Sequence, residues 1–145
     1  GVVLDDQNRI LVIQERYHTR KHYKLPGGGL EPGEHIATGV MREVLEETGI
    51  STEFISLNCF RHWHGYRHGK SDIYFVCRLK PLDFEITMDP KEISEAFWMP
   101  VDEYLSHPDT HPFNRKIVHT TITTRGLQIE DIPDYGTMDT HELLF

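Results

Sequence analysis

The chain has 145 residues, 38% hydrophobic and 10% aromatic, which suits one compact domain with a real core. Its formal net charge of −8 argues against non-specific binding to nucleic acid or an anionic membrane, since both rely on a basic surface. No apolar run approaches the ~20 residues of a membrane span and two cysteines are too few for a disulfide framework, so a soluble, cytoplasmic protein with reduced thiols is expected.

The opening GVVLDD reads as a strand entered midway, so the natural chain is expected to begin earlier, and organelle targeting is left open. Val2 to Leu4 and Ile10 to Ile13 are apolar runs joined by DDQNR, whose Asp and Asn favour tight turns; together they predict a hairpin. Tyr23 to Leu25 predict a short strand. Pro26, Gly27, Gly28, Gly29, Pro32 and Gly33 then form a loop whose backbone something must approach closely. From about Glu34 to Thr48 the pattern is helical, with Ala37, Met41, Val44 and Thr48 on one stripe, Val40 and Leu45 at its edges, and Gly49 as a left-handed cap.

FISLNCF and DIYFVCRL predict two strands joined by the long polar connection RHWHGYRHGKS, and place Cys59 and Cys77 as buried thiols. AFWMP predicts a shorter strand. VDEYL and PFNRKIVHTTITTR predict two helices, the second opening near Pro112. Strands and helices mix without regular βαβ alternation, which favours an α+β, mixed-sheet sandwich over a doubly wound fold. After Arg125 the chain has no Lys or Arg but carries Glu130, Asp131, Asp134, Asp139 and Glu142. Residues 126–145 are therefore expected as an acidic, mobile tail outside a domain of residues 1–125, and deletion of residues 127–145 is expected to leave the metal chemistry intact.

Glu43, Glu46 and Glu47 fall within an arc of ~100° on the helix face away from the apolar stripe. A solvated helix face is the ordinary fate of such charge, but it pairs Glu with Lys at i+4, whereas here Glu43 meets Glu47. All three also stand in the last turns, where the helix dipole disfavours negative charge. Unit charges ~4 Å apart at an effective dielectric of ~20 repel by about 4 kcal/mol, so a partly shielded cluster either takes up protons or binds a cation. Hard oxygen donors select Mg²⁺ or Mn²⁺.

The segment GGLEPGEHIATGVMREVLEETGI places Gly28, Glu34, Arg42, Glu43, Val44, Glu46, Glu47, Gly49 and Ile50 at fixed spacing: Gly, five residues, Glu, seven residues, Arg-Glu-apolar, one residue, Glu-Glu, one residue, Gly-apolar. This resembles the Nudix box, with every fixed position filled. The resemblance implies a loop-helix-loop on an α/β/α sandwich and hydrolysis of a nucleoside diphosphate linked to another moiety, a small nucleotide substrate. It also implies that Glu43, Glu46 and Glu47, with the carbonyl of Gly27, hold Mg²⁺ (or Mn²⁺), that Arg42 orients the carboxylates and that Glu34 braces the loop. Arg42 and Glu46 count among the implied catalytic residues. Beyond the box, FRHWHGYRHGKSDIYFVCRLKPL and EISEAFWMPVDEYLSHP are similar to a eukaryotic branch of the family. That branch joins plant ADP-ribose and NADH pyrophosphatases to the animal protein encoded antisense to a fibroblast growth factor.

Such enzymes often take their catalytic base from a loop outside the box, and Glu92 in KEISEAFW is the first choice, with Glu95 second. Arg61, His64 and Lys70 are expected at the substrate, against the plainer reading of solvated hairpin side chains. Trp98, Tyr17, Trp63 and Tyr66 are candidates to stack on a base, although core packing is the default for Trp98. GKS at 69–71 is not a P-loop, because His64 stands where that pattern needs Gly and a strand follows. His62, His64 and His68 lack the second ligand pair of a zinc site. The alternative to an enzyme is a Nudix-fold module that binds a nucleotide or a protein with little turnover, and a homodimer is left open.

Overall fold

The computed structural model describes residues 1–17, 19–20 and 22–145. In chain order the elements are β1 (Val2–Val3), β2 (Arg9–Glu15), α1 (Ile36–Thr48), β3 (Thr52–Trp63), β4 (Asp72–Pro81), β5 (Ile93–Pro100), α2 (Val101–Ser106) and α3 (Pro112–Thr123), with a 3-10 turn at Arg67–Gly69. They form a mixed, α+β sandwich. One sheet has the order β1-β4-β3, with β1 parallel and β3 antiparallel to β4, and the second pairs β2 with β5 antiparallel. Among the described residues, the antiparallel bridge of Leu4 to Ile10 connects the two.

Period-2 alternation along the strands creates two cores. Val2, Ile10, Val12 and Val76 pack with Val101 and Tyr104 of α2 and with Ile117 and Val118 of α3. Val3, Leu11 and Cys77, their neighbours in sequence, pack with Leu57, Leu79 and Val44 of α1. Adjacent strand residues thus serve opposite cores, which puts α1 on one side of the strands and α2 and α3 on the other.

The expected first hairpin is corrected. The turn does form, with Asp5 Oδ1 accepting from the amides of Gln7 and Arg9, but the ladder of β1 is with β4; towards β2 the chain makes the isolated Leu4–Ile10 bridge and side-chain packing. Tyr23 to Leu25 give an isolated bridge, Ile13 to Lys24. Helix α1 begins at Ile36, two residues after the expected start, because Glu34 turns back to receive the Glu31 amide and the Arg42 guanidinium. Leu45, expected at the edge of the buried stripe, is 48% exposed. Gly49 ends the helix at φ 73° and donates its N–H to the Leu45 carbonyl. Cys77 is buried and Cys59 only half-buried, both as free thiols.

Residues 126–145 were expected to be mobile and outside the domain, an expectation that does not account for their contacts. Leu127 exchanges both backbone hydrogen bonds with Leu57, so the segment starts alongside β3. It folds back on itself where Ile129 meets Leu144, and Leu144 packs against the core beneath α1. Among the described residues, no helix is long and apolar enough to cross a membrane.

Candidate active site

The site is built on α1 and the glycine-rich loop before it. Arg42 is its organiser. Its Nε donates to Glu34 Oε1 at 2.8 Å and Nη2 to Glu34 Oε2 at 3.0 Å, a bidentate pair, and Nη2 also reaches the Gly29 carbonyl at 3.0 Å. Nη1 donates to Glu43 Oε1 at 3.0 Å and to Glu46 Oε2 at 3.2 Å. Arg42 thus contacts both Glu34 of the loop and Glu43 and Glu46 of the helix. The Arg42 hydrogen bonds, with help from the Glu31 amide, hold the Glu34 carboxyl down at about 2. Glu34, then Glu43, raise the Arg42 guanidinium above its ordinary range.

Glu47 stands apart from this network. It is 9% exposed and accepts the Gly27 N–H at 2.9 Å. Burial pushes its carboxyl up to about 7; the Gly27 amide opposes the shift, and the negative charges of Glu43 and Glu15 add to it. Glu43 lies so close to the loop that a Cβ on Gly28 would sit 2.3 to 2.6 Å from its carboxylate atoms. Only glycine allows this approach.

The donors suit a hard divalent cation: three carboxylates on one helix face, one of them buried at a cost that a cation would relieve. Among the described residues no three His, Cys, Asp or Glu side chains converge to hold a metal, because Glu43 and Glu46 are turned to Arg42.

A cleft of about 660 Å³ opens beside the loop. Gly27, Gly28 and Gly29 form one part of its lining, and Arg61, Tyr66, Asp72, Tyr74, Phe113 and Asn114 another. Arg61 is held by Asp72 and lies against the rings of Tyr74 (5.1 Å), Trp63 (5.6 Å) and Phe113 (5.6 Å). Its Nε is buried without a partner.

Of the residues expected at the substrate, Arg61 lines the cleft. His64 and Lys70 are exposed on the hairpin connection and do not. The His64 ring lies 4.2 Å from that of His62. Glu92 and Glu95 are exposed and also outside the cleft lining; the Glu92 carbonyl accepts from the Arg16 amide. Tyr66 lines the cleft, Tyr17 is 83% exposed, and Trp98 packs at the core edge with Nε1 donating to the Phe84 carbonyl.

Sequence reading missed Glu15, Asp72, Tyr74 and Phe113. Asp72 and Tyr74 were readable from strand alternation, since they stand at alternate positions of DIYF and Tyr74 pairs directly with Arg61 of β3. Glu15 ends the almost wholly buried strand β2, where no alternation marks it; it pairs with Lys24 at 2.8 Å.

The NUDIX domain profile matches residues 1–121, over the loop, the helix and the strands just described. The chain belongs to the Nudix family. It is 42% identical over 111 residues to Nudix hydrolase 8 of Arabidopsis thaliana, covering 74% of this chain and 30% of the relative. It is 45% identical over 106 residues to the nucleoside diphosphate-linked moiety X motif 6 protein of Xenopus laevis, covering 71% and 49%. These are the plant and animal branches that the flanking segments resembled. The chain thus spans between 30% and 49% of the length of these curated relatives. A Nudix hydrolase structure from Nitrosomonas europaea superposes with a TM-score of 0.68 at 28% identity, over 83% of this chain and 84% of that one. Nudix hydrolases generally act on nucleoside diphosphate derivatives with the aid of divalent metal ions.

Proposed function

We propose that this Nudix domain hydrolyses the diphosphate bond of a nucleoside diphosphate derivative of the ADP-ribose or NADH type, giving two monophosphates, with Mg²⁺ as the metal and Mn²⁺ as its substitute. One observation carries the reading. The buried Glu47 carboxylate, its proton affinity raised, is tied to the backbone of Gly27, and Gly27 lines the cleft. A carboxylate in that setting gains most from a cation, and the cleft brings a ligand to the same loop.

Glu43, Glu46 and Glu47 with the Gly27 carbonyl would hold the ion, whose chemistry when bound is to neutralise the diphosphate, polarise its phosphorus and lower the pKa of a water. Arg42 holds Glu43 and Glu46 in place until then. Arg61 is a cation of the cleft for the substrate, fixed in direction by Asp72 and the surrounding rings. Glu92, exposed on the segment just before β5 and outside the cleft lining, is assigned as the base.

The test is a panel of nucleoside diphosphate derivatives, assayed with Mg²⁺ and with chelator. ADP-ribose should yield AMP and ribose 5-phosphate, and NADH should yield AMP and reduced nicotinamide mononucleotide. Water labelled with ¹⁸O should mark one monophosphate of the two. Undiminished cleavage in chelator, or release of nicotinamide or free ribose, overturns the proposal. Tight binding without cleavage selects the non-catalytic module instead.

A further inference from the structure

Helix α1 begins without a cap of its own. His35 occupies the N-cap position but makes no side-chain capping bond, and the first turn holds no acidic residue. The first amides of a helix need acceptors, and an anion there also complements the helix dipole. The acceptor comes from more than a hundred residues away. Glu142 Oε2 accepts from the Ile36 amide at 2.8 Å and Oε1 from the Ala37 amide at 3.0 Å.

Glu142 is delivered by a built strap. Gln128 and Phe145 exchange backbone hydrogen bonds at 2.8 and 3.0 Å, and the Glu130 amide donates to the Leu143 carbonyl at 3.1 Å. A second tie joins the strap to the same helix end: His35 Nε2 lies 2.6 Å from the Met138 carbonyl, which can only accept. The loop of residues 27–35 is therefore anchored twice. Its upstream end is held by Glu47 at Gly27 and by Arg42 at Gly29, and its downstream end by Glu142 and Met138.

We infer that Glu142 is a positioning residue for the metal-binding loop: as an acceptor at the start of α1, it keeps the Gly27 to Gly29 backbone in register with Glu43 and Glu47. This rests on reading Glu43, Glu46 and Glu47 as the ligand set. It also reverses the expectation that deleting residues 127–145 leaves the metal chemistry intact. The strap is part of the site's frame.

The experiment compares Glu142→Ala and Glu142→Gln with Val118→Ala, which perforates the opposite core and controls for lost stability. Mn²⁺ affinity is read by electron paramagnetic resonance at a temperature where all variants are folded, and exchange of the Gly27 amide by NMR. Glu142→Ala should bind Mn²⁺ about fivefold more weakly, the scale of a lost cap, and exchange Gly27 faster. Glu142→Gln, which keeps one acceptor, should fall between it and the parent. Val118→Ala should change neither reading.

Equal Mn²⁺ affinity and equal Gly27 exchange in Glu142→Ala overturn the inference, as does an equal loss in Val118→Ala. If the parent protein binds no Mn²⁺, the ligand assignment fails. The Gly27 exchange rate then decides by itself whether Glu142 positions the loop.

Discussion

Arg42 and Glu34 face each other fork to fork across eight residues, with two hydrogen bonds of 2.8 and 3.0 Å. The same guanidinium reaches Glu43 and Glu46, so the brace of the loop and the orientation of the candidate ligands depend on one side chain.

The pair sets an acid limb on stability. The Glu34 carboxyl is held at about 2 against an ordinary 4.5, so the unfolded chain takes up its proton first. The stabilisation is fully present above pH 4.5 and is lost as pH falls through 4.5 towards 2. Urea unfolding of Glu34→Gln should therefore lie below the parent at neutral pH and converge with it near pH 2. Curves that stay parallel across that range would reject the pair as the source.

Glu46→Gln and Glu47→Gln should each lower turnover about a hundredfold or more, since several kcal/mol of charge stabilisation depend on an intact ligand set. Glu47→Gln also removes a desolvated charge, so the metal-free variant at pH 8 should melt at or above the parent's temperature. Wild-type turnover in either variant rejects the metal assignment.

Gly28→Ala puts a methyl group where the Glu43 carboxylate now lies. Either the loop or Glu43 must move, and Mn²⁺ affinity should fall roughly ten- to a hundredfold, as for lost ligand support. Calorimetric titration checks it; unchanged affinity would mean that Glu43 does not need this position.

Cleft residues should separate from hairpin residues in kinetics. Arg61→Met keeps the stem against the rings but loses the charge, and should raise KM roughly tenfold or more, the scale of a lost charged hydrogen bond. His64→Ala and Lys70→Ala, outside the cleft lining, should leave KM within about twofold. Glu92→Gln should lower kcat without touching Mn²⁺ affinity; a parent-like kcat moves the search for the base to Glu15, which lines the cleft.

What could be read from sequence was local or motif-bound. The helix, its Gly49 stop, the β3–β4 hairpin and the box spacing depend on residues within a few turns of each other, and the structure places them accordingly. What escaped was set by distant pairing. Nothing in GVV announces a parallel partner at Arg78 and Leu79, and nothing in the acidic 126–145 segment announces that Leu127 and Leu144 would dock it. Glu142 read as one more solvated charge because its partners, Ile36 and Ala37, offer only backbone amides, which leave no trace in residue identity.

Val2 and Val3 form the shortest strand, yet each is wholly buried and each belongs to a different core. Two adjacent residues cannot leave one core and remain in the other. Peeling this edge away exposes the packing under α1 and the packing under α2 and α3 in the same event, so a single melting transition with no separate step for either half is expected. The domain is therefore expected to unfold as one cooperative unit, the site on α1 opening together with the far side of the sandwich.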